Sequence, residues 1–125
     1  MKRLRIPQLG PEPHAPFPPV SRALREPDGL LAFGGDLDGV RLLNAYRHGI
    51  FPWFSEGQPM LWWSPDPRSV FDTDGIRLGT RFKRQLRHLD WEIRADLDFE
   101  AVIRACASVS RPGQHGTWIT DGMID

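Results

Sequence analysis

The chain has 125 residues, of which 40% are hydrophobic and 26% charged, and its 16 basic side chains balance its 16 acidic ones. This composition is typical of one globular domain and argues against a disordered chain, and no apolar run reaches the roughly 20 residues of a transmembrane helix. The single Cys106 cannot form an internal disulfide, which favours a cytoplasmic protein. Because Pro7 rather than an apolar segment follows the basic N-terminus, we expect no secretory signal.

Positive charge is concentrated in two segments of this neutral chain. Residues 1–25 contain five basic side chains against one acidic side chain, and residues 77–94 contain six against two. Such segments suit an anionic partner without requiring one, since a solvated surface is the simpler explanation of either cluster.

The N-terminal segment is rich in proline. Six prolines lie between residues 7 and 19, a density that favours extended or polyproline geometry. We therefore divide the chain into a Pro-rich basic arm over residues 1–23, mobile or lying on the surface, and a domain over residues 24–125. Near the start of that domain, Leu30, Leu31 and Phe33 form a short apolar run that predicts a strand or a buried loop.

The first helix is predicted to follow the Gly-Gly-Asp sequence at residues 34–36. Asp36 or Asp38 can accept a hydrogen bond from a free backbone N–H of the first turn, and apolar residues at helical spacing between 40 and 46 give the helix one apolar face. Gly49 supplies the left-handed conformation that commonly ends a helix, and Ile50 can pack back against the last turn.

Residues 49–68 contain three of the five tryptophans and four of the twelve prolines. Proline fixes φ and removes a hydrogen-bond donor, so this stretch is neither a long helix nor a central strand. Its aromatic rings predict either the wall of a pocket or a core layer with stiffened turns. Trp62 and Trp63 are adjacent and point to opposite faces of an extended segment, so at least one of them is expected to pack in the core.

The third quarter of the chain alternates apolar segments with turns. We predict short strands at residues 69–71 and 76–78, a helix from Arg81 to about His88 capped by Thr80, and a half-buried strand at residues 91–95.

A third helix is predicted to follow, with Asp96 or Asp98 as its cap. The residues expected to form its buried stripe are Phe99, Val102, Ile103 and Cys106. Residues 120–125 resemble the start of another helix, so we expect the chain to be incomplete. Together these elements predict an α+β fold, a small mixed domain of short strands and about three helices.

The sequence contains no recognisable catalytic or metal-binding motif. Its four histidines are scattered, one cysteine cannot build a zinc cluster, and no Gly-x-Ser-x-Gly elbow occurs. The closely spaced aspartate pairs lie at helix starts or turns, where aspartate is expected for conformational reasons. Aromatic rings together with a basic helix instead favour an RNA end or an aminoacyl-nucleotide as ligand, because bases stack on indoles and phosphates bind Arg and Lys.

Five segments with unusual aromatic and proline strings point to a family. They are Arg25-Glu26-Pro27-Asp28-Gly29-Leu30-Leu31-Ala32, Gly34-Gly35-Asp36-Leu37, Gly49-Ile50-Phe51-Pro52-Trp53-Phe54, Leu61-Trp62-Trp63-Ser64-Pro65-Asp66-Pro67-Arg68 and Gly116-Thr117-Trp118-Ile119-Thr120. In this order they resemble the bacterial leucyl/phenylalanyl-tRNA–protein transferases. The resemblance runs from about residue 24 to the last residue and leaves out the basic arm.

The resemblance implies transfer of leucine or phenylalanine, and less readily methionine, from aminoacyl-tRNA to the N-terminal Arg or Lys of a protein, which marks that protein for degradation. The ester on tRNA is already activated, so the α-amine attacks its carbonyl directly, and no cofactor, ATP or metal is implied. In the family, two tryptophans flank the 3′-terminal adenosine and the aminoacyl group, and they correspond to Trp53 and Trp118. The family's basic helix, which contacts the acceptor stem, corresponds to Arg81, Lys83, Arg84 and Arg87.

This chain departs from the family's pattern in two respects. The family continues into an acetyltransferase-like domain that carries the Asp and Gln of the proton relay, so the resemblance implies no catalytic residue within residues 1–125. The loop from Val109 to His115 is also longer than the family's usual connection, which affects the placement of Trp118. We therefore expect a monomeric N-terminal portion, truncated at the start of a helix and inactive alone.

Two other interpretations compete with this one. The chain could be a stand-alone module that binds RNA ends or nucleosides without catalysis. Alternatively, the aromatic stretch is only core and the basic helix only a solvated surface.

Overall fold

A four-stranded mixed sheet organises the first half of the chain. Its strands are β1 (Gln8–Leu9), β2 (Leu30–Gly34), β3 (Phe51–Pro52) and β4 (Leu61–Trp63), in the spatial order β1-β2-β4-β3. Strand β1 pairs with β2 in parallel, whereas β4 is antiparallel to both β2 and β3. The apolar run after residue 29 is thus a strand, and the Pro-rich segment contributes β1.

The computed structural model describes residues 5–113 and 116–125. Lys2 and Arg3 of the basic arm, and His115 at the end of the long loop, lie outside the described residues. The helices are α1 (Gly39–Arg47), α2 (Thr80–Arg87), α3 (Phe99–Ser108) and α4 (Asp121–Ile124), with a 3₁₀ turn at Val20–Arg22. The predicted α+β class is confirmed, and α4 forms where the sequence predicted the start of a further helix.

The core of the described residues lies between the sheet and α1. Its buried members are Leu9, Leu31, Ala32, Ala45, Ile50 and Trp62, and Phe17 packs edge-on against the Trp62 ring at 4.9 Å between centroids. Every one of these residues precedes residue 63. The hydrophobic driving force for folding is therefore concentrated in the first half of the chain.

Helix α1 begins and ends as the sequence predicts. The side chain of Asp38 accepts a hydrogen bond from the backbone N–H of Val40 at 2.8 Å, which satisfies one of the free donors of the first turn. At the other end Gly49 has a φ of 70°, which suits a residue without Cβ, and Ile50 is buried. The helix is therefore followed within a few residues by β3, which begins at Phe51.

A buried arginine joins the N-terminal segment to α1. The side chain of Arg41 is fully buried, and its Nε donates to Oδ1 of Asp36 at 3.0 Å. Its Nη2 donates to the carbonyl oxygens of Gly10 and Glu12, each at 2.9 Å. The hydrogen bond from Arg41 lowers the pKa of the Asp36 carboxyl. The Pro-rich segment is thus held by charge-assisted hydrogen bonds as well as by the burial of Leu9.

The strands predicted at residues 69–71, 76–78 and 91–95 do not form. Only the turn of the predicted hairpin is present, where the N–H of Gly75 donates to the carbonyl oxygen of Asp72 at 3.1 Å. Phe71 and Ile93 are 89% and 94% exposed. An isolated two-stranded hairpin without a packed face is at best marginally stable, and these apolar residues pack on no face in the described chain.

The two later helices form near the predicted positions, but their caps and faces differ from the prediction. Gly79 occupies the N-cap position of α2, so Thr80 is its first helical residue rather than its cap. Asp98 stands at the N-cap of α3 without a side-chain hydrogen bond. The predicted buried stripe of α3 is wrong, since most of its residues are exposed: Phe99, Val102 and Cys106. Helical periodicity identified the apolar face, but the described residues place no core against it.

Candidate functional site

The hairpin of β3 and β4 separates its aromatic residues between two faces. On the inner face, Pro52 pairs with Trp62, and both are buried. On the outer face Phe51 pairs with Trp63, and Trp53 continues the ladder by donating its N–H to the carbonyl oxygen of Leu61 at 3.0 Å. The prediction that Trp62 and Trp63 face opposite sides is therefore confirmed, with Trp62 as the core residue.

The outer face of this hairpin forms the floor of a cavity of about 430 Å³. Its aromatic and proline lining residues are Phe51, Trp53, Phe54, Trp63 and Pro65. Polar side chains of Asp28, Ser55 and Gln58 also border it. A concave, mainly aromatic site of this volume with a few polar groups suits a small planar ligand. Trp53 is 55% exposed, so its ring can stack on a ligand.

The Trp53 segment is held by hydrogen bonds on both sides. The indole Nε1–H of Trp63 donates to the backbone carbonyl oxygen of Trp53 at 2.7 Å. In the following turn, the N–H of Ser55 donates to Oε1 of Gln58, and the N–H of Gln58 donates to the carbonyl oxygen of Ser55, both at 3.0 Å. These hydrogen bonds restrain the backbone that carries the exposed indole.

A close approach of two loops positions the opposite wall. Gly29 has a φ of 86°, and a Cβ at this position would lie 2.5 Å from the backbone nitrogen of Pro65. Its carbonyl oxygen accepts a hydrogen bond from the N–H of Ser64 at 2.7 Å. Only glycine can adopt this left-handed conformation and also lie so close to the Pro65 backbone. The close approach of Gly29 to Pro65 brings Asp28 and Pro65 to the same cavity.

The segment that contains Trp118 lies beside the loop after Trp53 but not in the aromatic cavity. A second cavity of about 580 Å³ is lined by Ser55 and Glu56 on one side and by residues of the 116–122 segment on the other. Trp118 is half-buried and lines neither cavity. Because Ser55 lines both, the two cavities are neighbours, yet the two tryptophans do not enclose a common space.

The four basic residues predicted to bind tRNA are all on α2. Arg81, Lys83, Arg84 and Arg87 are exposed, and none forms an ion pair with a carboxylate of the described residues. Unneutralised cations on one short helix can bind phosphates. Within residues 5–113 and 116–125, α2 makes no extensive contact with another helix or strand, so its position relative to the aromatic cavity is only weakly fixed by packing.

Sequence reasoning did not single out Phe51, Phe54 or Trp63 as site residues. The signal was available for Trp63, because the same alternation that buries Trp62 places its neighbour on the outer face beside Trp53. Among the described residues, no helix is both long and apolar enough to cross a membrane, and no group of three or more His, Cys, Asp or Glu side chains could hold a metal ion.

Comparison with known proteins shows which family the chain matches. Residues 35–66 match the model of the leucyl/phenylalanyl-tRNA protein transferase N-terminal domain, and residues 70–125 match the model of the leucyl/phenylalanyl-tRNA protein transferase itself. The two matches are consecutive and cover most of the chain.

Curated relatives give the same result. The leucyl/phenylalanyl-tRNA–protein transferase of Xanthomonas campestris pv. campestris (strain B100) is 70% identical over 115 residues, which is 92% of this chain and 46% of the relative. The protein of that name from Xylella fastidiosa (strain 9a5c) is 65% identical over 115 residues, which is 92% of this chain and 47% of the relative. The chain thus spans about half the length of the curated relatives it matches.

Proposed function

Since this chain belongs to the leucyl/phenylalanyl-tRNA–protein transferase family, we propose that it supplies the RNA-end-binding part of an aminoacyltransferase. The complete enzyme, which is cytoplasmic, moves leucine or phenylalanine, and less readily methionine, from aminoacyl-tRNA to the N-terminal Arg or Lys of a protein. This transfer marks that protein for degradation. The chain acts as a monomer.

The observation that carries the proposal is the aromatic cavity. Trp53 presents an exposed indole among the aromatic residues that line this cavity, on a backbone held by Trp63. The 3′-terminal adenosine stacks on such a surface, and one base stacked on an aromatic ring is worth about 1–3 kcal/mol. The cavity volume of about 430 Å³ suits a nucleoside.

The reaction requires little covalent chemistry from the protein. The α-amine of the acceptor attacks the ester carbonyl, a base removes its proton, and the 3′-oxygen of the tRNA leaves. What this chain contributes is the position of the ester, through the nucleoside that carries it. We assign no catalytic residue within residues 1–125, and we therefore propose that the chain binds aminoacyl-tRNA without catalysing transfer.

Trp118 and the basic residues of α2 complete the proposed binding surface. Trp118 is the second tryptophan proposed to contact the adenosine, which is supported by the position of its segment beside Ser55, a residue that also lines the aromatic cavity. Arg81, Lys83, Arg84 and Arg87 bind phosphates of the acceptor stem, which is supported by their exposure and lack of carboxylate partners in the described chain.

A titration with a non-hydrolysable 3′-aminoacyl-adenosine mimic tests the site. We expect the wild-type chain to bind it and Trp53→Ala to bind about tenfold more weakly, because a stacking surface is lost. Trp91→Ala is the matched control, since Trp91 is exposed but lies outside the cavity. Equal affinities of wild type and Trp53→Ala would refute the site.

A transfer assay separates the two functional candidates. The 125-residue chain and a fusion of this chain to the remaining half of the Xanthomonas relative are each mixed with leucyl-tRNA and a peptide with N-terminal Arg. The enzyme hypothesis predicts binding by both proteins and transfer by the fusion alone. Binding without transfer by a correctly folded fusion would favour the stand-alone RNA-end-binding module instead.

A further inference from the structure

Arg68 lies beside the aromatic cavity and is fixed by two contacts. Its Nη2 donates to the carbonyl oxygen of Gly49 at 2.6 Å, and its guanidinium lies over the ring of Phe51, with Cζ 5.2 Å from the ring centroid. Phe51 is one of the aromatic residues that line the cavity. An arginine held in this way loses little further rotamer freedom when it binds a ligand.

Most of the binding capacity of Arg68 is unused. A guanidinium has five N–H donors in a planar fork, and the bond to Gly49 is the one hydrogen bond that Arg68 makes within the described residues. No carboxylate of the described residues forms an ion pair with it. A preoriented and unneutralised guanidinium is a good partner for a phosphate, which its fork can bind through two parallel N–H bonds.

The position of Arg68 relates this charge to the stacking surface. Phe51 and Trp53 are two residues apart and lie on the same outer face of the hairpin, opposite the buried Pro52. A base stacked on Trp53 and a phosphate bound by Arg68 would therefore lie on the same side of the sheet. In the sequence, Arg68 precedes the first basic residue of α2 by more than ten residues, so it belongs to a different segment of the chain.

We propose that Arg68 binds the 5′-phosphate of the terminal nucleotide whose base stacks in the aromatic cavity, an inference that rests on the proposed function. Arg68 then recognises the phosphate next to the reacting end, whereas α2 binds phosphates of the acceptor stem. A ligand with a 5′-phosphate is thus preferred over the bare nucleoside.

The preference for adenosine 5′-monophosphate over adenosine tests this inference directly. Both are titrated into the wild-type chain, Arg68→Gln and the control Arg47→Gln, which removes an exposed cation at the end of α1. We expect wild type and Arg47→Gln to bind the monophosphate about tenfold more tightly than adenosine. Arg68→Gln should lose most of that preference. Its affinity for adenosine itself should change by less than about twofold.

Each outcome decides between the two proposals. If adenosine binds but Arg68→Gln keeps the wild-type preference, or Arg47→Gln loses as much as Arg68→Gln, the role of Arg68 is refuted and the nucleoside site stands. If the wild-type chain binds neither ligand, the proposed function fails at this site and the inference with it. Should circular dichroism show that Arg68→Gln does not fold, Arg68→Met takes its place, because its unbranched apolar side chain can still pack on Phe51 without carrying a charge.

Discussion

The indole N–H of Trp63 donates to the backbone carbonyl oxygen of Trp53 at 2.7 Å, across the antiparallel pair β3 and β4. One tryptophan of the hairpin thereby fixes the backbone of another whose ring is free for a ligand. Trp62, the neighbour of Trp63, donates its own indole N–H inward to the carbonyl oxygen of Gly34 at 2.9 Å. Of these two adjacent tryptophans, Trp62 therefore packs in the core, and Trp63 lines the cavity and holds the backbone of Trp53.

Trp63→Phe should weaken binding of the aminoacyl-adenosine mimic about fivefold, because the aromatic wall remains but the bond that holds Trp53 is lost, a change of about 1 kcal/mol. Isothermal titration of the folded variant measures this loss. If Trp63→Phe binds the mimic as tightly as wild type does, the hydrogen bond does not position Trp53.

Trp62→Phe should instead destabilise the chain with little effect on binding. The ring of Trp62 is fully buried, and its replacement by Phe leaves a cavity beside Phe17 and removes the hydrogen bond to the carbonyl oxygen of Gly34. We expect a loss of about 2–4 kcal/mol in the free energy of unfolding from urea denaturation. Ligand affinity is compared under conditions in which both variants are folded. If Trp62→Phe loses more affinity than Trp63→Phe does, Trp62 is not only a core residue.

The sequence predicts the secondary structure correctly near the core, in the first half of the chain, and less well in the second half. The alternation of Trp62 and Trp63, the cap at Asp38 and the helix end at Gly49 follow from local geometry, and the structure has all three. The strands at residues 69–71, 76–78 and 91–95 could not be predicted correctly, because apolar periodicity assumes a surface to pack on. The aromatic cavity was predicted only in outline, since the Gly29–Pro65 contact that forms its far wall joins residues distant in sequence.

Gly29→Ala should destabilise the chain by about 2–4 kcal/mol, because a Cβ would lie 2.5 Å from the Pro65 nitrogen and the φ of 86° disfavours any other residue. The new atom meets backbone, so a side-chain rotation cannot relieve the contact. Thermal unfolding followed by circular dichroism measures the effect, with Gly39→Ala as the control because a Cβ there meets nothing within 4 Å. Similar melting temperatures for the two variants would refute the prediction.

The pair of Asp36 and Arg41 predicts a pH dependence of stability. The folded state lowers the pKa of Asp36 from its ordinary value of 3.8, chiefly through the hydrogen bond from Arg41. A carboxyl with a lowered folded-state pKa stabilises the fold above its unfolded-state pKa, and this contribution is lost as the pH falls through the folded-state pKa.

Asp36→Asn should therefore lower the free energy of unfolding at pH 7 by about 1–2 kcal/mol, a value reduced because the Asp36 side chain is 39% exposed. The difference from wild type should shrink as the pH falls below about 4, where the wild-type carboxyl also becomes neutral. Urea denaturation across pH 7 to 3 measures it, with Asp90→Asn as the exposed control. A difference that does not vary with pH would show that charge is not responsible.

The basic residues of α2 should determine the salt dependence of tRNA binding. Each cation that contacts a phosphate releases counterions, which contributes about 0.7–0.9 to the slope of log affinity against log salt concentration. Removing Arg84 and Arg87 together should therefore lower the slope by about 1.4–1.8 while the affinity for the small aminoacyl-adenosine mimic stays the same. Arg104→Gln is the control, because Arg104 lies on α3 and is paired with Glu100 at 2.9 Å. If the double variant keeps the wild-type slope, α2 is a solvated surface and the acceptor stem binds elsewhere.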